Sequence, residues 1–231
     1  FRSGDVMIKI ENIAKSYKIG FHSNEVLKDV SLSLPIGSWI TIVGPSGSGK
    51  STLLNIITGL VKPTKGKVWF DNLDINKLKD KEKADLRRKR IGFIFQDFKL
   101  LPYYSVLDNV ILPVHDAKNK KEVYKRAQEL LEIVGIGQSL FNRLPEGLSG
   151  GEKQRVAIAR AIIANPDVIV CDEPTGNLDQ ANRDQIIRLL AQLKEKQKTI
   201  VVVTHDMEVA RHGDETYYLS NGTIHQSEVS L

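Results

Sequence analysis

The chain has 231 residues, of which 41% are hydrophobic, and 33 Lys plus Arg against 28 Asp plus Glu leave a net charge of +5. That length and apolar content bury roughly 70% of the unfolded surface without a metal or disulfide staple, and the lone Cys171 forbids an internal disulfide or a Cys-based zinc site. No apolar run approaches the roughly 20 residues that span a bilayer, and no signal-peptide pattern opens the chain, which argues against a membrane-spanning, secreted or disordered protein.

Phe1–Val6 precede Met7 and read as a remnant outside the native chain. Met7–Ile13 and Val26–Leu34 alternate apolar and polar residues and predict half-buried strands. Trp39–Val43 is a short apolar run that stops at Gly44, and Lys50–Leu60 reads as a helix. Strand, glycine-rich turn, helix is the plan of a nucleotide-binding α/β unit. The turn, Gly44-Pro45-Ser46-Gly47-Ser48-Gly49-Lys50-Ser51, matches G-x-x-x-x-G-K-[ST] in full, with Thr52 following. Its glycines let backbone N–H groups curl into an anion nest at a helix N-terminus. Lys50 then neutralises the β- and γ-phosphates of a nucleoside triphosphate, and the Ser51 hydroxyl is placed for Mg²⁺.

Lys67–Asp71 predicts another strand. The basic clusters Lys77–Arg90 and Lys118–Arg126 interleave with acidic residues at helical spacing, as solvated helix faces do. From about Ser105 to Ala164 helical periodicity dominates, for example Val123, Ala127, Leu130, Leu131 and Val134, ending at Gly135. Ser149-Gly150-Gly151-Glu152 has the Ser-x-x-Glu spacing of a capping box. Two glycines in a first helical turn each cost roughly 1 kcal/mol relative to alanine, so something must approach that backbone closely. A second phosphate cradle meets the requirement.

Val168–Cys171 is an apolar strand ending in Asp172 and Glu173. A carboxylate at such an edge can hold hydrated Mg²⁺, and Glu173 is suited to orient and deprotonate a water, although both could merely cap the turn before Pro174. A helix over about Arg183–Lys194 and a third apolar run, Ile200–Val203, follow; continuous runs of this kind suit strands buried on both faces of a parallel sheet. Short strands around Tyr217–Leu219 and Thr223–His225 join through Asn221-Gly222, a turn pair.

Together these segments resemble the ATP-binding cassette (ABC) ATPases from about Ile8 to Gly222. The resemblance is carried by Gly44–Thr52, Gln96 after Phe93-Ile94-Phe95, Leu148–Glu152, Val168–Glu173, Gly176–Asp179 and His205. It implies an α/β fold of the P-loop NTPase class: a RecA-like parallel sheet core, an N-terminal antiparallel β-subdomain and an inserted helical subdomain. The core and β-subdomain are expected at about 7–97 and 160–231, and the helical part at about 98–159. It further implies an ATPase using ATP and Mg²⁺, in which two copies close head-to-tail around two ATP. The phosphate loop of one copy then meets Ser149, Gly150 and Gly151 of the other. Tyr17 falls where an aromatic ring stacks on adenine, Gln96 where a glutamine senses Mg²⁺ and water, and His205 where a histidine contacts the γ-phosphate. Asp179 falls where an aspartate reaches across the dimer.

The chain departs from the commoner pattern at Glu152, where Gln is usual, and at Gly176-Asn177-Leu178. The latter, with Phe95–Pro102, resembles the branch for lipoprotein release, macrolide or antimicrobial-peptide export and cell-division control. In that family an integral membrane permease docks near Phe98–Tyr104, which implies a cytoplasmic chain held at the inner face of the membrane. The alternative is a soluble ABC ATPase acting on nucleic acid. Members that act on chromosomes carry a long coiled-coil insertion, and no sustained heptads separate Lys50 from Asp172; no nucleic acid is therefore expected.

Overall fold

The computed structural model describes residues 5–20 and 22–227; for residues 1–4, the reading of the chain's start as a remnant lies outside the described residues. Period-two apolar residues build the antiparallel hairpin of β1 (Val6–Ile19) and β2 (His22–Pro35). Both strands run past the alternation seen in sequence, because ladder pairing continues through polar residues such as Ser16 opposite Glu25 and Tyr17 opposite Asn24. The wholly buried β3 (Trp39–Val43) feeds the glycine-rich turn and α1 (Lys50–Ile57). Strands β4 (Lys65–Phe70) and β5 (Leu73–Asp74) return to the hairpin, giving the antiparallel sheet β2-β1-β4-β5. Helix α2 (Asp80–Arg90) has no buried residue, as its interleaved charges require.

Next comes β6 (Ile91–Ile94), a strand the sequence reading does not assign. It is only four residues long and contains Gly92, where a Cβ would lie 2.4 Å from the carbonyl oxygen of Ala161. Helices α3 (Val106–Ile111), α4 (Lys120–Ile133) and α5 (Gly150–Ile162) follow. The chain then alternates through β7 (Val168–Asp172), α6 (Gln180–Glu195), β8 (Thr199–Thr204), α7 (Met207–Ala210) and the closing pair β9 (Glu215–Ser220) and β10 (Thr223–Ser227). Asn221 and Gly222, at φ 50° and 82°, make the turn of that pair.

The second sheet has the order β10-β9-β3-β8-β7-β6. Strands β9, β3, β8, β7 and β6 are parallel, and β10 is the antiparallel edge. Its two faces sort alternate residues into two cores. Val201, Val203, Val168 and Val170 join Leu53, Leu54 and the antiparallel sheet, whereas Ile200, Val202, Ile169 and Cys171 join α3, α4, α5 and α6. The helical segment therefore shares a core with one face of the sheet, and α5 forms the layer between them. Burial pushes the Cys171 thiol's pKa up and leaves it an inert packing group.

Candidate functional site

In open α/β sheets the crevice beyond the carboxyl ends of the parallel strands is where loops converge. Here β3, β6, β7 and β8 deliver Gly44–Gly49, Gln96, Asp172-Glu173 and His205 to that edge. A cleft of about 610 Å³ is lined by Val26, Ser46, Gly47, Gly49, Lys50, Ser51, Thr52, Gln96, Asp172, Glu173 and His205. A neighbouring recess of about 360 Å³ takes in Pro45 and Ser48.

The turn needs its glycines for separate reasons. Gly47 and Gly49 have φ of 77° and 101°, and a Cβ on Gly44 would stand 2.2 Å from the carbonyl of Leu219. Lys50 Nζ donates to the carbonyls of Gly44 (2.8 Å) and Pro45 (3.0 Å) and stands 4.0 Å from Glu173 Oε1. The Ser48 hydroxyl is buried and has no partner among the described residues.

Ser51 Oγ donates to Asp172 Oδ1 at 3.2 Å. Burial lifts the Asp172 carboxyl above the usual aspartate range, with the Ser51 hydrogen bond opposing and the Glu173 charge adding to the rise. Glu173 is held harder. Its Oε2 accepts from Thr204 Oγ1 (2.9 Å) and from the His205 backbone N–H (3.2 Å), and its Oε1 lies 2.9 Å from His205 Nδ1. A carboxylate oxygen accepts, so in this contact Nδ1 is the donor, and Nε2 of the exposed ring has no hydrogen-bond partner among the described residues. Glu173 itself sits at φ 47°, a conformation that a bulky residue keeps only where its surroundings impose it.

Ser149, Gly150, Gly151 and Asp179 do not line this chain's cleft. Ser149 caps α5 in the full capping box: Ser149 N–H donates to Glu152 Oε2 at 2.7 Å, and Glu152 N–H donates to Ser149 Oγ at 3.3 Å. That backbone bond holds the Glu152 carboxyl below its usual range. The two glycines then part company. A Cβ on Gly151 would meet Asn182 Oδ1 at 2.1 Å, whereas the space beside Gly150 is open to 3.8 Å. The close approach expected from the sequence is thus, at Gly151, made by this chain's own α6. Asp179 caps α6 through Asn182 N–H (2.9 Å), and both its oxygens accept from Asn182 Nδ2, which keeps its carboxyl low.

Tyr17 stands apart. It is 38% exposed on β1 and lines neither recess, and Lys15 Nζ lies 4.8 Å over its ring. Sequence reasoning missed Thr204, whose signal was a hydroxyl closing an otherwise apolar strand. It also missed Asn182, Arg155 and Arg160, whose contacts join residues far apart in the chain. Arg155 Nη1 donates to Asn182 Oδ1 at 2.9 Å.

The profile of the ABC transporter family matches residues 27–176. An uncharacterised ABC transporter ATP-binding protein of Methanocaldococcus jannaschii, MJ0796, is 47% identical over 227 residues, covering 96% of this chain and 97% of that one. The macrolide export ATP-binding/permease protein MacB of Rhodopirellula baltica is 41% identical over 94% of this chain, which spans 32% of that longer protein. Among solved structures, a dimeric post-hydrolysis state of the MJ0796 cassette bound to ADP and Pi superposes with a TM-score of 0.91 at 44% identity, covering 97% of this chain and all of that one.

Proposed function

This chain belongs to the ABC transporter family of ATP-binding cassettes, and from that membership we propose the residue roles, the assembly and the partner of an ATP-hydrolysing cassette. The observation that carries the reading is one cleft in which Lys50, the Ser51–Asp172 pair and the Glu173–His205 pair face each other beyond the ends of the sheet. The backbone of Gly44–Gly49, with Ser48, Ser51 and Thr52, cradles the phosphates of ATP, and Lys50 exchanges its loop carbonyls for phosphate oxygens.

The residues fit Mg²⁺. Ser51, Asp172 and Gln96 present oxygen donors in the cleft, and a neighbouring cation relieves the burial that raises Asp172. Magnesium asks for few protein ligands and keeps its waters. When bound, it supplies charge neutralisation at the transferred phosphoryl group. Glu173, fixed by Thr204 and His205, orients the attacking water and accepts its proton, and His205 Nε2 faces the γ-phosphate. Tyr17 offers an aromatic face for adenine.

Ser149, Gly150, Gly151 and Asp179 lie outside their own chain's cleft, which supports a site completed by a second copy, head-to-tail. The dimer drives a separate membrane permease and is held by it at the cytoplasmic face; no helix of the described residues is itself long and apolar enough to cross a membrane. The permease docks near Phe98–Tyr104, where Leu101, Tyr103 and Tyr104 are exposed while buried Asn109 staples the loop through the carbonyls of Leu101 and Tyr104. Normal co-purification of a folded Tyr103→Ala, Tyr104→Ala double variant with the permease would place docking elsewhere.

The catalytic reading is tested by Glu173→Gln. The variant should bind ATP as the parent does and hydrolyse it about 10²–10⁴-fold more slowly, the usual worth of a positioned base. Lys50→Ala should instead weaken ATP binding. Normal turnover in the Glu173→Gln protein would remove Glu173 from its role.

A further inference from the structure

Helix α5 grips the segment around Gln96 from both sides. Before Gln96, Gly92 of β6 admits the Ala161 carbonyl to within 2.4 Å of where a Cβ would stand. After Gln96, Arg160 donates from Nη2 to the Phe98 carbonyl and from Nη1 to the Lys99 carbonyl, each at 2.6 Å. Both acceptors belong to residues in the left-handed region, φ 60° at Phe98 and 48° at Lys99. Bulky side chains adopt that conformation only where their surroundings hold them in it. No carboxylate pairs with Arg160 among the described residues, and burial alone shifts its ionisation, downward. A guanidinium keeps its charge in proteins, so the two carbonyl dipoles are what balances it. The planar fork suits two adjacent acceptors better than a single ammonium does.

At its other end, α5 begins with the Ser149–Gly151 backbone. One rigid helix therefore carries the proposed cradle at its N-terminus and a clamp on the Gln96 loop near its C-terminus.

We propose that Arg160 is the positioning residue for Gln96: it locks the Phe98–Lys99 turn to α5, so that a displacement of the cradle end of the helix is delivered to Gln96. This rests on the reading of Gln96 as a group that faces Mg²⁺ and water. Arg160→Met keeps the stem and removes both donors, and Arg160→Lys keeps the charge without the fork. In nucleotide-free protein, amide exchange across residues 97–100 should quicken about tenfold in Arg160→Met and less in Arg160→Lys, with α1 unchanged. In steady-state ATP hydrolysis, Arg160→Met should lower kcat about 10–100-fold, the range for groups that orient a metal ligand, with KM within about twofold. In a Gln96→Ala background the same substitution should cost less than about twofold, because both changes disable one device. Unchanged exchange, or an undiminished loss of kcat in a Gln96→Ala protein that is itself impaired, would overturn the role of Arg160 alone. Normal turnover of Gln96→Ala would overturn the reading of Gln96, and Arg160 with it.

Discussion

Asp172, a proposed Mg²⁺ ligand, is a residue whose burial bears on stability. Burial raises its carboxyl above the range it has in the unfolded chain, so the native state holds the extra proton between the two values. Below the unfolded value the group costs nothing; as pH rises from that value to the raised one, the unfolded chain has released a proton that the fold still holds, so stability falls, and it levels off once the folded carboxyl has ionised. Asp172→Asn should therefore raise the Tm of the nucleotide-free protein at neutral pH and abolish Mg²⁺-dependent hydrolysis. The gain should be no more than about 2–4 °C, because solvent reaches part of the carboxyl and screens it. It should shrink as pH is lowered into the ordinary aspartate range. Scanning calorimetry of both proteins across that range checks the sign, and a lowered Tm at neutral pH would contradict it. Asp172, Glu173 and Lys50, which the structure brings into one cleft, stood out in the sequence because each stands at a fixed offset in a local pattern. Thr204 and Asn182 escaped because their roles come from contacts with Glu173 and Gly151 across the fold.

At the level of elements, α5 and α6 meet through a small polar lock. Asn182 fills the space a side chain on Gly151 would need, donates to Asp179 and accepts from Arg155. The two glycines should thus respond in opposite ways to alanine. Gly150→Ala places its methyl in ordinary van der Waals contact with Leu178, 3.8 Å away, and gains helix propensity, so the isolated chain should become more stable by roughly 0.5–1 kcal/mol. Gly151→Ala drives its methyl into Asn182 and should destabilise by about 1–3 kcal/mol, relieved when Asn182→Ala is added. Urea unfolding of the three proteins distinguishes these outcomes; equal effects at both positions would refute the assignment. Element legibility followed the same divide. Long amphipathic helices such as α4 and the buried runs of β7 and β8 declared themselves by period and by continuous apolar character. Strand β6 did not, since four residues with a central glycine carry no period at all.

For the molecule as a whole, the proposed ATP site is a property of two chains. The strand–turn–helix motifs were legible as the residues that line the cleft, because they are local in sequence. How the helical segment joins the sheet was not readable, since its core is assembled from α3 to α6 and from alternate residues of strands remote in sequence. The most direct test is the solution mass of the Glu173→Gln protein by light scattering, with and without ATP. The chain of 25.9 kDa should run as a monomer alone and at about twice that mass with ATP. Adding Ser149→Arg, which forces a large cation into the cradle, should return it to monomer while each monomer still binds ATP. A Glu173→Gln, Ser149→Arg protein that dimerises with ATP as readily as Glu173→Gln alone would contradict the shared site.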